Sequence, residues 1–258
     1  MPGGAADLGL PYFAPARPRV IAHRGLALAA PENTLLAFAH ALALGVVHLE
    51  TDVRASADGV AMIAHDADLS RVAGRPQRVG DLTVAELARL DLGEAQHMPT
   101  LAEALEAFPD ARFNIDLKSA DAVAPAIEAI RAGRAEERVL LTSFSERRRR
   151  AALAQLPGVA TSASGPRFAA ALLASVVHGG PVVRAALRGL HAVQIPTRAI
   201  GLDTVSPARI RAFHAAGVEV HVWTINDEAE MRRLLALGVD GIVTDRADLA
   251  LAVVGALE

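Results

Sequence analysis

Short aliphatic and β-branched runs alternate along the chain with longer Ala- and Leu-rich segments whose apolar positions recur at helical spacing. The short runs predict strands at residues 19–22, 47–53, 112–117, 139–142, 159–162, 192–196, 218–222 and 241–243. The intervening segments predict helices at 34–44, 121–131, 146–156, 167–177, 207–216, 228–237 and 247–256. Capping signals agree with these bounds. Asn33, Ser206 and Asn226-Asp227 stand where helices begin, and Gly45, Gly217 and Gly238 stand where helices end. Strand–helix alternation of this kind belongs to an α/β protein with a parallel sheet. Eight strands are the count for a closed (β/α)8 TIM-type barrel, although a doubly wound open sheet satisfies the same alternation. One stretch breaks the rhythm. Residues 61–65 read as an additional strand, and 66–100 hold turn signals and a short helix at 84–90. Residues 61–100 therefore form a small insertion after the second strand, in a loop on the barrel face that carries active sites.

Composition narrows the picture. A chain of 258 residues with 52% apolar content supports one barrel domain over residues 1–258. Aromatics are only 3%, so the core must be built from Ala, Leu, Val and Ile. The absence of cysteine excludes disulfides, thiolate metal sites and a cysteine nucleophile. A net charge of −3 offers no footprint for nucleic acid and no polybasic membrane anchor, which leaves a small-molecule partner. Residues 1–18, rich in Pro and Gly, read as a loosely held N-terminal arm that lacks the pattern of a signal peptide. No apolar run is long enough to span a membrane, and a cytoplasmic location is the default. The run Arg147–Arg150 lies inside helical periodicity and reads as a solvated face.

Candidate chemistry gathers at the predicted strand ends. The first strand closes on His23-Arg24-Gly25, a poor choice for stability but a good one where a cation meets a phosphate at a sharp turn. Alone it is a weak signal, since a loop histidine with a satisfied partner gives the same pattern. The second strand carries Glu50 and Asp52, two residues apart and so on one face. Two inward carboxylates repel unless a cation or proton lies between them, and oxygen ligands of this kind suit Mg2+ or Ca2+. The additional strand ends in His65-Asp66, and the third barrel strand presents Asp116 and Lys118, again two apart. Two histidines can divide acid and base roles near neutral pH. Three carboxylates can hold a divalent ion, while Arg24 and Lys118 can neutralise a phosphate. The remaining histidines, His40, His48, His97, His178, His191, His214 and His221, have no such context.

The ordered set His23-Arg24-Gly25, Pro31-Glu32-Asn33-Thr34, Glu50-x-Asp52, His65-Asp66, Asn114–Lys118, Val222–Asn226 and Gly238–Arg246 resembles the glycerophosphodiester phosphodiesterases over residues 19–250. The resemblance implies a TIM-type barrel with an insertion after the second strand. It also implies that His23 and His65 are the general acid and base, and that Glu50, Asp52 and Asp116 hold one divalent ion, Mg2+ or Ca2+ with Mn2+ also suited. Arg24 and Lys118 would hold phosphate oxygens. Trp223, the sole tryptophan, would line the substrate pocket against glycerol carbons, although a core residue at the barrel rim fits the same position. Glu32 would orient its neighbours or act as a helix-terminal carboxylate. Asp245 would sit at the same rim or cap the last helix. In this family glutamate is more usual at the position of Asp116, while the related phospholipase D toxins carry aspartate at a similar place. The departure bears on metal identity and affinity.

The expected reaction is hydrolysis of a glycerophosphodiester to sn-glycerol 3-phosphate and an alcohol. Lysophospholipase D or sphingomyelinase-like cleavage in the same site is an alternative, for which the apolar loop of residues 26–30 could supply a groove. A non-catalytic barrel that binds a phosphorylated ligand is a third reading, from a different class.

Overall fold

The computed structural model describes residues 9–177 and 179–256; the first part of the expected arm, His178 and the last two residues lie outside the described residues. Strands β1 (Arg19–His23), β2 (His48–Ala55), β3 (Ala61–Ile63), β4 (Arg112–Leu117), β5 (Val139–Thr142), β6 (Ala160–Thr161), β7 (Ala192–Ile195), β8 (Arg198–Ala199), β9 (Leu202–Asp203), β10 (Glu219–Val222) and β11 (Gly241–Thr244) follow in chain order. Eight of them run parallel in the order β6-β5-β4-β2-β1-β11-β10-β7. The two ends of this sheet meet through a parallel bridge between Ser162 and Ala192, flanked by Ala163 N–H to Ala192 O at 3.0 Å and His191 N–H to Thr161 O at 2.9 Å. The result is a TIM-type barrel rather than an open doubly wound sheet. Closure leaves no exposed edge on the barrel and gives its interior two ends.

The helices cover the outside because each carries one apolar stripe. Phe38, Leu101, Ile127, Ala152, Phe213, Met231 and Val253 all join one core with the outward-facing strand residues. Two helices not anticipated from periodicity complete the layer, Leu101–Ala107 and Gly180–Leu187. The first starts at a capping box in which Thr100 and Glu103 satisfy each other's backbone N–H. Residues of the insertion form a smaller core of their own around Met62, Leu69, Leu87 and Met98. Within it the strand is shorter than expected, Ala61–Ile63, and pairs antiparallel with the end of β2.

The expectation of a loose arm fails for residues 10–18. A short turn, Pro11–Phe13, plugs the N-terminal end of the barrel, with Tyr12 1% exposed and packed with Phe13 on Leu140, Ala160 and Ala192. Buried polar groups fasten the plug. Arg19 makes a bidentate pair with Glu219, 2.8 Å at each contact, and also donates to Phe13 O at 2.8 Å. His48 Nε2–H donates to Tyr12 O at 3.2 Å, and burial drives the pKa of that imidazole down to about 3, so it remains neutral. Pro11 instead opens a tight turn.

The buried Tyr12 hydroxyl has no hydrogen-bond partner. Tyr12→Phe should therefore leave stability unchanged or raise it, because an unpaired buried polar group is removed. Tyr12→Ala should lower stability by about 3–5 kcal/mol by opening a cavity in the barrel floor. Urea unfolding of the two variants beside the parent measures both effects.

Candidate active site

Backbone register dictates what meets at the C-terminal end of the barrel. Parallel pairing sets His23 beside Glu50, Glu50 beside Asn114, and Asp52 beside Asp116. Side chains two apart on each strand point the same way, so Glu50, Asp52 and Asp116 all enter one cavity. That cavity, of about 370 Å³, is lined by His23, Arg24, Glu50, Asp52, His65, Asp116, Lys118 and Trp223, together with Asn114, Phe144, Phe168 and Gln194. Eight of the nine residues singled out from the sequence thus share one space. The ninth, Glu32, lies behind it and works through Arg24.

The carboxylates are crowded in a low-dielectric setting. Burial, reinforced by the like charge of Asp52, pushes the Glu50 carboxyl up to about 8. Burial likewise raises Asp116. Burial also opposes ionisation of Asp52, but Lys118 and Arg24 outweigh it and hold this carboxyl below its usual range. The Lys118 ammonium lies 2.9 Å from Asp52 Oδ1 and 2.6 Å from Asp116 Oδ2. Arg24 Nε is 3.3 Å from Asp52 Oδ2, and Asn33 Nδ2 donates to the same oxygen at 3.2 Å. Negative charge remains in excess: Asp116 Oδ1 is buried without a hydrogen-bond partner, and Glu50 is left with only a backbone N–H of Arg24 at 3.2 Å and His23 at 3.8 Å. Among the described residues no group of three or more His, Asp or Glu side chains is already spaced as a cation cage. The donor chemistry nevertheless fits a hard divalent ion, which would supply the positive charge this trio lacks.

Each of the two cavity histidines is held by a carboxylate at Nδ1. His23 Nδ1–H donates to Asp245 at 2.7 Å, and His65 Nδ1–H donates to Asp66 at 2.8 Å. This fixes the tautomer in which Nε2 is free to exchange a proton with a substrate. Burial disfavours the His23 imidazolium, yet the Asp245 hydrogen bond and the charge of Glu50 overcome it and raise the His23 pKa. Asp245 is itself positioned by Asn226, whose amide N–H donates to Asp245 Oδ2 at 2.7 Å.

The turn after β1 shows why His23-Arg24-Gly25 must have this composition. Arg24 adopts φ 58° and Gly25 φ 83°. A Cβ at Gly25 would come within 2.7 Å of the Ala37 backbone. The strained Arg24 is pinned by its own N–H to Glu50 O at 3.0 Å. Its guanidinium then reaches Glu32 at 2.8 Å. Glu32 also accepts from Arg71 at 2.7 Å, and Arg71 donates to Asp66 at 2.6 Å. An alternating line of charges, Asp52–Arg24–Glu32–Arg71–Asp66, therefore runs from the carboxylate trio to the partner of His65.

Sequence reasoning gave Asp66 no role beyond the motif, placed Asp245 only at the rim or at a helix start, and missed Arg71. The signals for the first two were adjacency to a candidate histidine and a place at the end of the last strand. Arg71 had none, because it sits in the insertion. Two further expectations are corrected. None of residues 26–30 lines the cavity; its apolar wall is made by Phe144, Phe168, Pro196, Ala199 and Trp223, with Phe144 and Trp223 edge-to-face at 6.2 Å. The run Arg147–Arg150 is not a uniformly solvated face: Arg149 is 4% exposed and pairs with Glu146, and Arg148 donates to Lys118 O at 2.6 Å.

Comparison with known proteins places this geometry. Residues 23–249 match the model of the glycerophosphoryl diester phosphodiesterase family. A Mycobacterium tuberculosis protein named probable glycerophosphodiester phosphodiesterase 2 is 44% identical over 231 residues, which is 89% of this chain and 88% of the relative. A glycerophosphodiester phosphodiesterase of Caldanaerobacter subterraneus is 31% identical over 240 residues, 88% of this chain and 93% of the relative. The solved structure of an Oleispira antarctica phosphodiesterase, in complex with the product sn-glycerol-3-phosphate, is similar with a TM-score of 0.74 and 25% identity, covering 93% of this chain and 97% of that one.

Asp245→Asn should lower the His23 pKa, since the interaction that opposes burial is removed; an NMR titration of the imidazole reads this directly. The folded-state value is raised, so the stability it confers is fully present below the ordinary histidine pKa and is lost as pH rises through the folded one. The stability gap between parent and variant should accordingly be wider at acidic than at alkaline pH.

Proposed function

The chain belongs to the glycerophosphoryl diester phosphodiesterase family and has the activity of a glycerophosphodiester phosphodiesterase; on that premise we propose that the barrel-mouth cavity performs the hydrolysis with His23 and His65 as acid and base and one divalent cation on Glu50, Asp52 and Asp116. The observation that carries this reading is the placement of two carboxylate-held imidazoles and an undercompensated carboxylate trio in a single cavity.

His65 Nε2 takes the proton of the attacking hydroxyl, from water or from the substrate's own glycerol, as the new O–P bond forms. His23, whose raised pKa favours the imidazolium, gives a proton from Nε2 to the departing alkoxide as the P–O bond to the alcohol breaks. Asp66 and Asp245 keep both rings oriented and stabilise each ring while it is charged. Arg24 and Lys118 line the cavity as cations for the phosphate oxygens. When bound, a divalent ion polarises the phosphoryl group and stabilises the charge that grows on its oxygens; Mg2+, Ca2+ and Mn2+ all accept oxygen ligands. Trp223 and Phe144 offer apolar faces to glycerol carbons. The same apolar wall, with Phe168, supports a second reading in which the glycerol carries an acyl chain and the enzyme cleaves lysophospholipids. Among the described residues no helix is long and apolar enough to cross a membrane.

Replacing His23 or His65 by Ala should cut kcat roughly 10²–10⁴-fold while the protein remains folded. A near-parental rate removes that residue from the chemistry. The metal assignment has a readout independent of turnover. Folded Glu50 releases its proton near 8 and the unfolded side chain near 4.5, so the folded state holds the extra proton between those values and stability falls as pH rises through the window. Without added ion, Glu50→Gln should therefore be more stable than the parent at pH 8 and above, with the gap closing towards pH 4.5. Adding Mg2+, Ca2+ or Mn2+ should raise the parent's melting temperature more than the variant's. An equal rise in both proteins would remove Glu50 as a ligand.

A further inference from the structure

Strand β2 does not end its inward series at Asp52. Arg54, two residues on, lies on the same face one pleat nearer the mouth, and its Nε donates to His65 O at 2.9 Å. Lys118 N–H donates to Val53 O at 3.0 Å, which brings the end of β4 alongside. There Arg148, from the helix Glu146–Gln155, donates from Nη1 to Lys118 O and from Nε to Ser143 Oγ at 3.0 Å. Two guanidiniums thus grip the backbone of adjacent active-site residues. Among the described residues, both terminal nitrogens of Arg54 and Nη2 of Arg148 have no hydrogen-bond partner.

Their charge balance differs from that of the other arginines around the site. Arg24, Arg71 and Arg149 are all ion-paired. Among the described residues Arg54, Arg78 and Arg148 have no carboxylate oxygen within 4.0 Å. Arg54 and Arg148 thus stand beside the catalytic cavity with unused guanidinium N–H groups and, among the described residues, no direct carboxylate partner. The apolar wall of Phe144, Phe168, Pro196 and Trp223 comes from the ends of β5 to β10, and the arginines stand on the side of β2 and β4.

The geometry points to a second anion-binding position, formed by Arg54 and Arg148, that receives a phosphate carried by the alcohol half of the substrate. It rests on the phosphodiesterase reading above and narrows it: glycerol lies against the aromatic wall, the scissile phosphate lies between the histidines, and the distal phosphate meets the arginine forks. Guanidinium recognises phosphate through paired N–H groups, each such charge-assisted bond adding to affinity.

The test compares glycerophosphoglycerol with the same diester bearing a phosphate monoester on the distal glycerol. The parent enzyme should show kcat/KM roughly 10–100-fold higher for the phosphorylated substrate, the span expected for one or two charge-assisted hydrogen bonds. The preference should shrink with ionic strength and fall towards one in Arg54→Gln and in the double variant Arg54→Gln, Arg148→Gln. The ratio of the two substrates is the readout, because both arginines also hold active-site backbone. Equal rates in the parent, or a preference that persists in the double variant, overturns the inference. Calorimetric binding of propane-1,3-diol bisphosphate against propyl phosphate needs no turnover. Tighter bisphosphate binding that is lost in the double variant supports the second site even if neither diester is cleaved, an outcome that would defeat the activity instead. Cleavage of both diesters with no preference for either, and no preference for the bisphosphate, defeats the second site alone.

Discussion

Like-charge crowding governs the architecture of this barrel mouth. Parallel register lays Asp52 against Asp116 and sets Glu50 one step below, so three carboxylates are forced together by backbone pairing alone. The surrounding structure is organised around that crowding. Lys118 bridges two of the three, Arg24 bends into a left-handed conformation to reach the site, and Glu50 retreats towards its neutral form. Such a concentration of buried charge opposes stability and is tolerated where function needs it.

The compensation is carried outward in a sequence of alternating charges. Asp52 faces Arg24, Arg24 is held by Glu32, Glu32 by Arg71, and Arg71 by Asp66, which orients His65. One of these links, Glu32–Arg71, crosses from the loop after β1 into the insertion that follows β2. The insertion therefore acts as the frame for one of the two imidazoles, and its private core around Met62, Leu69 and Leu87 makes that frame rigid. His23 has a separate support in Asp245 and Asn226, at the ends of β11 and β10 on the side of β1 away from β2. Each imidazole thus has its own carboxylate support.

Much of this was legible in the chain. Period-two spacing located Glu50 with Asp52 and Asp116 with Lys118, because a strand gives no other way to put both on one face. The eight barrel strands were readable for the same reason, each an aliphatic run bounded by glycine or a capping residue. What spacing could not convey was partnership across the fold. Arg71 sits in an irregular segment and meets Glu32 only after the insertion folds back. Asp245 lies 222 residues from His23. Residues 10–18 were misjudged because turn-forming residues carry the same composition whether a segment is loose or tightly docked, and only the contacts of Tyr12 and Phe13 with Leu140 and Ala192 distinguish the two. The arginine run was misjudged because helical periodicity describes one helix, whereas Arg148 answers to the backbone of Lys118 at the end of a neighbouring strand.

The stopper of Tyr12 and Phe13, clamped by Arg19 and Glu219, has a consequence for traffic through the molecule. With the far end of the barrel sealed, reactant and both products share a single doorway. A polymeric phosphodiester cannot be threaded through; it must present a terminus or a slack loop to the opening, release one fragment, and withdraw before the next encounter.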